Sequence, residues 1–114
     1  KDHREVGIVV PQRLRGNWSL FRFPDSVGLG KVFAEVDSVD FCHYDSDKSY
    51  EGRCFTYPLL WERLRSGGIF MSDDISDNTA FRDFSYHLGL SPIVLRCAGA
   101  GSAPDRYVGL LKKP

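Results

Sequence analysis

Hydrophobic positions along this chain fall into short blocks whose spacing alternates between that of buried strands and that of helix faces. Val6-Gly7-Ile8-Val9-Val10-Pro11 is a β-branched run closed by proline, and Trp18 to Phe23 alternates loosely, so both are expected as strands. After a Pro-Asp-Ser turn at Pro24 to Ser26, the residues Leu29, Val32, Phe33 and Val36 have the spacing of one helix face. Val39 to Tyr44 predicts a buried strand that ends at Asp45, where the polar patch Asp45-Ser46-Asp47-Lys48-Ser49 begins. Tyr57, Leu60, Trp61 and Leu64 then recur at helical spacing between Glu51 and Arg65; Pro58 either starts that helix or bends it, and Ser66-Gly67-Gly68 stops it.

The pattern then repeats. Ile69-Phe70-Met71 predicts another buried strand, again ending in acid at Ser72-Asp73-Asp74. Asp77 or Asn78 caps a following helix whose Phe81, Phe84 and Leu88 line one face until Gly89. Pro92 to Cys97 and Tyr107 to Leu111 are β-rich and joined by a stretch with no helix, Ala98 to Asp105, so they predict an antiparallel pair. Strands alternating with helices give an α/β fold with a mostly parallel sheet, and the closing hairpin adds an antiparallel edge.

The chain's 114 residues bound the picture to one domain spanning 1–114, and 42% apolar with 13% aromatic content is enough for a core. Fifteen basic residues balance fifteen acidic ones, so no overall field draws nucleic acid or an anionic membrane. No apolar run approaches the roughly 20 residues that span a bilayer. Cys42, Cys54 and Cys97 are an odd number with no CxxC spacing, so neither a disulfide framework nor a zinc knuckle is indicated and a reducing, cytoplasmic compartment fits best. The charged opening Lys1-Asp2-His3-Arg4-Glu5 has no methionine and reads as an excision from something longer.

Ligands of open parallel sheets lie beyond the carboxyl ends of the strands, so Asp45 and the pair Asp73-Asp74 converge if their strands are neighbours. Three carboxylates in one crevice repel unless protonated or bridged by a cation, and all-oxygen ligation suits Mg²⁺. For any one of these acids, capping a helix or facing solvent is the simpler reading; for the set at matched strand ends, a metal or polar ligand is favoured. Asp47 reads as solvated or as a loop-stabilising acceptor, with metal ligation only in reserve. His43 reads first as a packed core histidine, Trp61, Phe81 and Phe84 as core, and Gly99-Ala100-Gly101 as a flexible turn.

The stretches Tyr44-Asp45-Ser46-Asp47-Lys48-Ser49-Tyr50 and Leu64 to Asp74 resemble the late strands of class I S-adenosylmethionine-dependent methyltransferases. More narrowly they resemble the metal-dependent O-methyltransferases that act on catechols, caffeoyl-coenzyme A and macrolide sugars, and the likeness continues through Asn78 to Phe84 and the closing hairpin. The resemblance implies a partial Rossmann-like methyltransferase sheet and a small hydroxylated substrate. It places Asp45, Asp73 and Asp74 on Mg²⁺, Asp45 and Ser46 against S-adenosylmethionine, and Lys48 as the group that accepts or steers the substrate proton. By residues alone Lys48 is a solvated lysine, and to act as a base its pKa must fall well below about 10.4.

The family's glycine-rich cofactor loop has no counterpart in this sequence, and Asp2 is at best the ribose-binding acid. The alternative expectation is a truncated, non-catalytic methyltransferase-like domain that pairs with a second copy or a partner through an uncovered sheet edge or apolar face.

Overall fold

A computed structural model describes residues 6–114. Three helices, α1 (Asp25–Glu35), α2 (Tyr50–Arg63) and α3 (Ala80–His87), accompany four strands, β1 (Val39–Tyr44), β2 (Leu64–Ser72), β3 (Ile93–Cys97) and β4 (Arg106–Lys112). The sheet order is β1-β2-β4-β3. The β1 and β2 strands pair in parallel, while β4 runs antiparallel to both β2 and β3. Three strands therefore point one way and β4 alone points back, which is the mixed α/β sheet expected. The hairpin does not simply extend the edge, because its second strand inserts between β2 and β3.

Two expected strands are not formed. Residues 6–10 make turns, Gln12–Asn17 is a 3-10 turn, and 18–23 have no regular structure. A strand is stabilised by its ladder, and among the described residues neither segment pairs with another; Ile8 and Val9 remain 68% and 87% exposed. Asp2, the expected ribose-binding acid, lies outside the described residues.

The helix α1 begins four residues before its apolar stripe, directly after Pro24, whose carbonyl accepts from the amides of Val27 and Gly28. Ser49 starts α2 by accepting from the Gly52 amide at 3.0 Å. Pro58 neither starts nor ends α2; it lies within the helix as an exposed residue, and its ring leaves the carbonyl four residues earlier without a helical donor. The helix ends at Arg63, before the expected stop. Lys113 closes it, donating to the carbonyls of Trp61 and Leu64 at 2.7 Å each.

Ser66-Gly67-Gly68 belongs to β2 rather than to a helix stop. Between the pairs Val39↔Leu64 and Phe41↔Ile69 the ladder loses register, and the glycines accommodate this bulge. Gly67 has φ of +79°, and a Cβ on Gly68 would meet the Leu64 side chain at 2.8 Å.

One face of the sheet carries the core. Tyr44, Phe70 and Leu111 project toward α2 and α3 and pack with Tyr57, Leu64, Ala80 and Phe81, each of them 3% exposed or less. Tyr57 is the hub: its ring lies 5.1 Å from Tyr44 and 5.2 Å from Phe70, both edge-on, and its hydroxyl shares a 2.7 Å hydrogen bond with Ser72. Trp61, Phe81 and Phe84 are core, as their spacing predicts.

The other face is apolar and uncovered among the described residues. Register places Phe41 beside Ile69, Met71 beside Leu110, Leu110 beside Ile93 and Val108 beside Leu95 on that face. Phe41 is 55% exposed and Ile93 is 65% exposed. His43, paired with Met71, is exposed there too, so it is not the packed core histidine expected.

Candidate active site

The parallel register pairs Tyr44 with Ser72, so β1 and β2 end level with each other, and Asp45 and Asp73 follow as the next residues on each chain. The Asp73 amide donates to the Tyr44 carbonyl at 3.0 Å, which carries the pairing one step beyond the strands. The chain then turns sharply at Asp74, whose φ is +47°, a conformation that aspartate tolerates better than most side chains. Beyond it the Ile75 amide donates to the Tyr107 carbonyl at 3.0 Å. The result brings one carboxylate oxygen each from Asp45, Asp73 and Asp74 within 4.8 Å of one another.

Two cations reach into this cluster. The Lys48 ammonium donates to Asp45 Oδ1 and, at 2.8 Å, to Asp74 Oδ2. The Arg106 guanidinium spans the other side, with Nε to Asp74 Oδ1 at 2.8 Å and Nη2 to Asp73 Oδ2 at 2.9 Å. Hydrogen bonds from Lys48 and then Arg106 hold the Asp74 carboxyl down at about 2, against an ordinary 3.8. Burial lowers the pKa of Lys48, but the hydrogen bonds and charges of Asp45 and Asp74 outweigh it, and the net shift is upward. In this arrangement Lys48 is a cation at neutral pH, with no proton-accepting lone pair.

A third cation lies beneath. Arg53 of α2 is fully buried, and its Nη2 donates to the Asp74 carbonyl at 3.0 Å and the Asp73 carbonyl at 3.4 Å. Its partner carboxylate, Asp77, is 3.7 Å away, while Nε and Nη1 have no hydrogen-bond partner. Arg53 thus fixes the backbone of the acidic turn from below, leaving the carboxylates free to face outward.

The loop from Asp45 to Ser49 is held at three points. Ser46 turns away from the acids and donates to Asp25 Oδ1 at 2.8 Å. Asp47 accepts from the Ser49 amide at 2.8 Å, which makes it the loop-stabilising acceptor. That bond lowers its pKa. Asn78 donates to the Lys48 carbonyl at 2.8 Å and accepts from the Ala80 amide at 3.1 Å, but the N-cap position of α3 is Thr79, so neither Asp77 nor Asn78 is the cap expected. Cys42, half-buried on β1, has its thiol pushed up to about 11 by burial and is no nucleophile.

Asp45, Asp73 and Asp74 were legible as one group from the strand-acid pattern, and Lys48 beside them only through the family resemblance; Arg106, Arg53 and Asp25 were not. Arg106 joins only through the antiparallel register of β4. Arg53 carried one signal, its position four residues before Tyr57 on the buried face of α2.

No protein-family model and no curated protein sequence matches the chain. Among solved structures it is similar to an O-methyltransferase from Bacillus cereus in complex with SAH, with 16% identity and a TM-score of 0.57. That match covers 75% of this chain and 46% of the other, so the chain spans less than half of that enzyme's length. It is also similar to an rRNA methylase from Streptococcus thermophilus, at 16% identity and a TM-score of 0.60, over 99% of this chain and 70% of the other. These likenesses, with the sheet order, give the chain the fold of class I methyltransferases. Among its described residues no helix is long and apolar enough to cross a membrane.

A carboxyl whose folded pKa lies below its unfolded value stabilises the fold above the unfolded value, and that stability is lost as pH falls through the folded one. For Asp74 the window runs from 3.8 down to about 2. Urea denaturation across that range should show stability falling steadily in the wild type and a flatter profile in Asp74→Asn; equal slopes would show that the two cations do not hold this carboxylate.

Proposed function

We propose that this chain supplies the acidic half of the active site of an S-adenosylmethionine-dependent, Mg²⁺-assisted O-methyltransferase acting on a small hydroxylated molecule. The observation that carries the reading is the convergence of Asp45, Asp73 and Asp74 beyond the level ends of two parallel strands in a class I methyltransferase fold. The SAH named with the Bacillus cereus neighbour supports the choice of cofactor. Asp45 and Ser46, leaving the end of β1, would face it.

The donor set fits Mg²⁺: three carboxylates, all hard oxygen donors, drawn to one point by rigid strand ends and a turn anchored from below. Bound there, the ion would polarise a substrate hydroxyl and favour its ionised form. The chain's own residues supply the rest. The turn at Asp74 sets the carboxylates' spacing, Arg53 keeps that turn from drifting, and Asn78 holds Lys48 at the rim. Lys48 there stabilises negative charge on an oxygen, and accepts a proton only if its hold on Asp45 and Asp74 is relaxed.

Equal numbers of basic and acidic side chains favour a small acceptor over RNA, despite the rRNA methylase likeness. The three free cysteines, two of them exposed, suit a reducing cytoplasmic setting.

A second reading rests on the uncovered apolar face of the sheet, where Phe41, Ile93 and Leu95 are each about half exposed or more. A patch of this kind pairs with another surface, and a second copy of the chain is the simplest partner. Light scattering should then show mass rising with concentration; a stable monomer throughout would remove this reading.

The metal reading is tested by titrating Mg²⁺ calorimetrically into the wild type and Asp73→Ala. A saturable heat in the first and its loss in the second are expected, since Asp73 supplies one of three carboxylates. Identical heats would rule out this metal site.

A further inference from the structure

The carboxylates proposed to bind the metal already have cations on them, and the two sets of partners cannot all be kept. Asp74 gives one oxygen to Lys48 and the other to Arg106; Asp73 gives Oδ2 to Arg106 and Oδ1 to the amide of Asp74. Asp45 gives Oδ1 to Lys48. Three negative charges against two positive ones leave the cluster with a single net negative charge. A divalent ion added to it would face two fixed cations within the cluster, repelled by each and competing with each for the same oxygens.

One cation must yield, and the structure distinguishes them. Lys48 is tethered: its side chain is 37% exposed, and Asn78 holds its backbone carbonyl at 2.8 Å. Arg106 has a side chain 58% exposed, sits at the first residue of β4, and follows directly on the loop from Ala98 to Asp105. Its side chain is held to the cluster by its two hydrogen bonds to Asp73 and Asp74, and its long stem can swing into water without moving the strand.

From this geometry we infer that Arg106 is a built-in competitor for the divalent cation, an internal counter-charge that occupies the acids in the metal's absence and swings out when the metal enters. The inference rests on the metal reading of the site. Arg106 thereby acts as a positioning residue: it keeps Asp73 and Asp74 from repelling one another, and it sets how much metal is needed to fill the site. The forked guanidinium matters as well as its charge, because it bridges two different carboxylates at once, which an ammonium on a lysine stem does less well.

The experiment is a calorimetric titration of Mg²⁺ into the full chain as wild type, Arg106→Ala, Arg106→Lys and Arg82→Ala, with thermal unfolding to show that each is folded. Arg106→Ala should bind the metal about tenfold more tightly than wild type, as expected when a competing charge-assisted pair is removed. Arg106→Lys should fall between the two, and Arg82→Ala, whose guanidinium pairs with Asp83 away from the cluster, should match wild type. Binding by Arg106→Ala no tighter than by wild type would overturn the role of Arg106 and leave the metal site standing. A match between Arg106→Lys and wild type would overturn the role of the fork. No binding by any of the four would overturn the metal reading itself and this inference with it.

Discussion

Three carboxylates at the end of one parallel strand pair repel each other, and the rest of the site is organised by how that repulsion is answered. The register of β1 on β2 leaves no choice about bringing them together, because the two strands end level and both continue into acid. Positive charge answers from three directions: Lys48 from the rim, Arg106 from β4 and Arg53 from beneath. Two of these neutralise side chains, whereas Arg53 acts on the backbone, donating to the carbonyls of Asp73 and Asp74. A fully buried guanidinium with two unpaired nitrogens is costly, and its position under the acidic turn is the counterpart of that cost.

The aromatic core links this arrangement to the rest of the fold. Tyr57 packs edge-on against Tyr44 of β1 and Phe70 of β2, while Arg53 projects from the same helix one turn earlier. Packing that seats α2 on the sheet therefore also seats Arg53 under the turn. The bond from the Tyr57 hydroxyl to Ser72 fixes the last residue of β2 before the acids. A change in this packing reaches the carboxylates through the Tyr57–Ser72 hydrogen bond and through Arg53's bonds to the carbonyls of Asp73 and Asp74. Shape and chemistry are coupled here by proximity along the chain, with no long-range path required.

Much of this organisation was legible in the sequence, because strand, acid and helix follow each other in the order that a parallel sheet demands. Asp45, Asp73 and Asp74 were found by position alone, and the core faces of α2 and α3 by spacing. What escaped has physical causes. Arg106 enters through strand pairing, which local pattern does not encode, and insertion of β4 beside β2 rather than at the edge is what brings it there. Arg53 violates the ordinary preference of arginine for water. Gly67-Gly68 looked like a helix stop because glycine marks stops and bulges alike. The apolar run from Val6 to Pro11 looked like a strand but finds no strand partner among the described residues, and apolar composition cannot supply one.

Whether the three acids hold a divalent ion in place of Arg106 can be seen in a crystal structure of the chain soaked with Mn²⁺, read from the metal's anomalous scattering. One ion bounded by Asp45, Asp73 and Asp74 is expected, with Arg106 withdrawn from Asp73 and Lys48 still at the rim. An ion bound elsewhere, or the acids still paired with both cations at saturating Mn²⁺, would contradict that expectation.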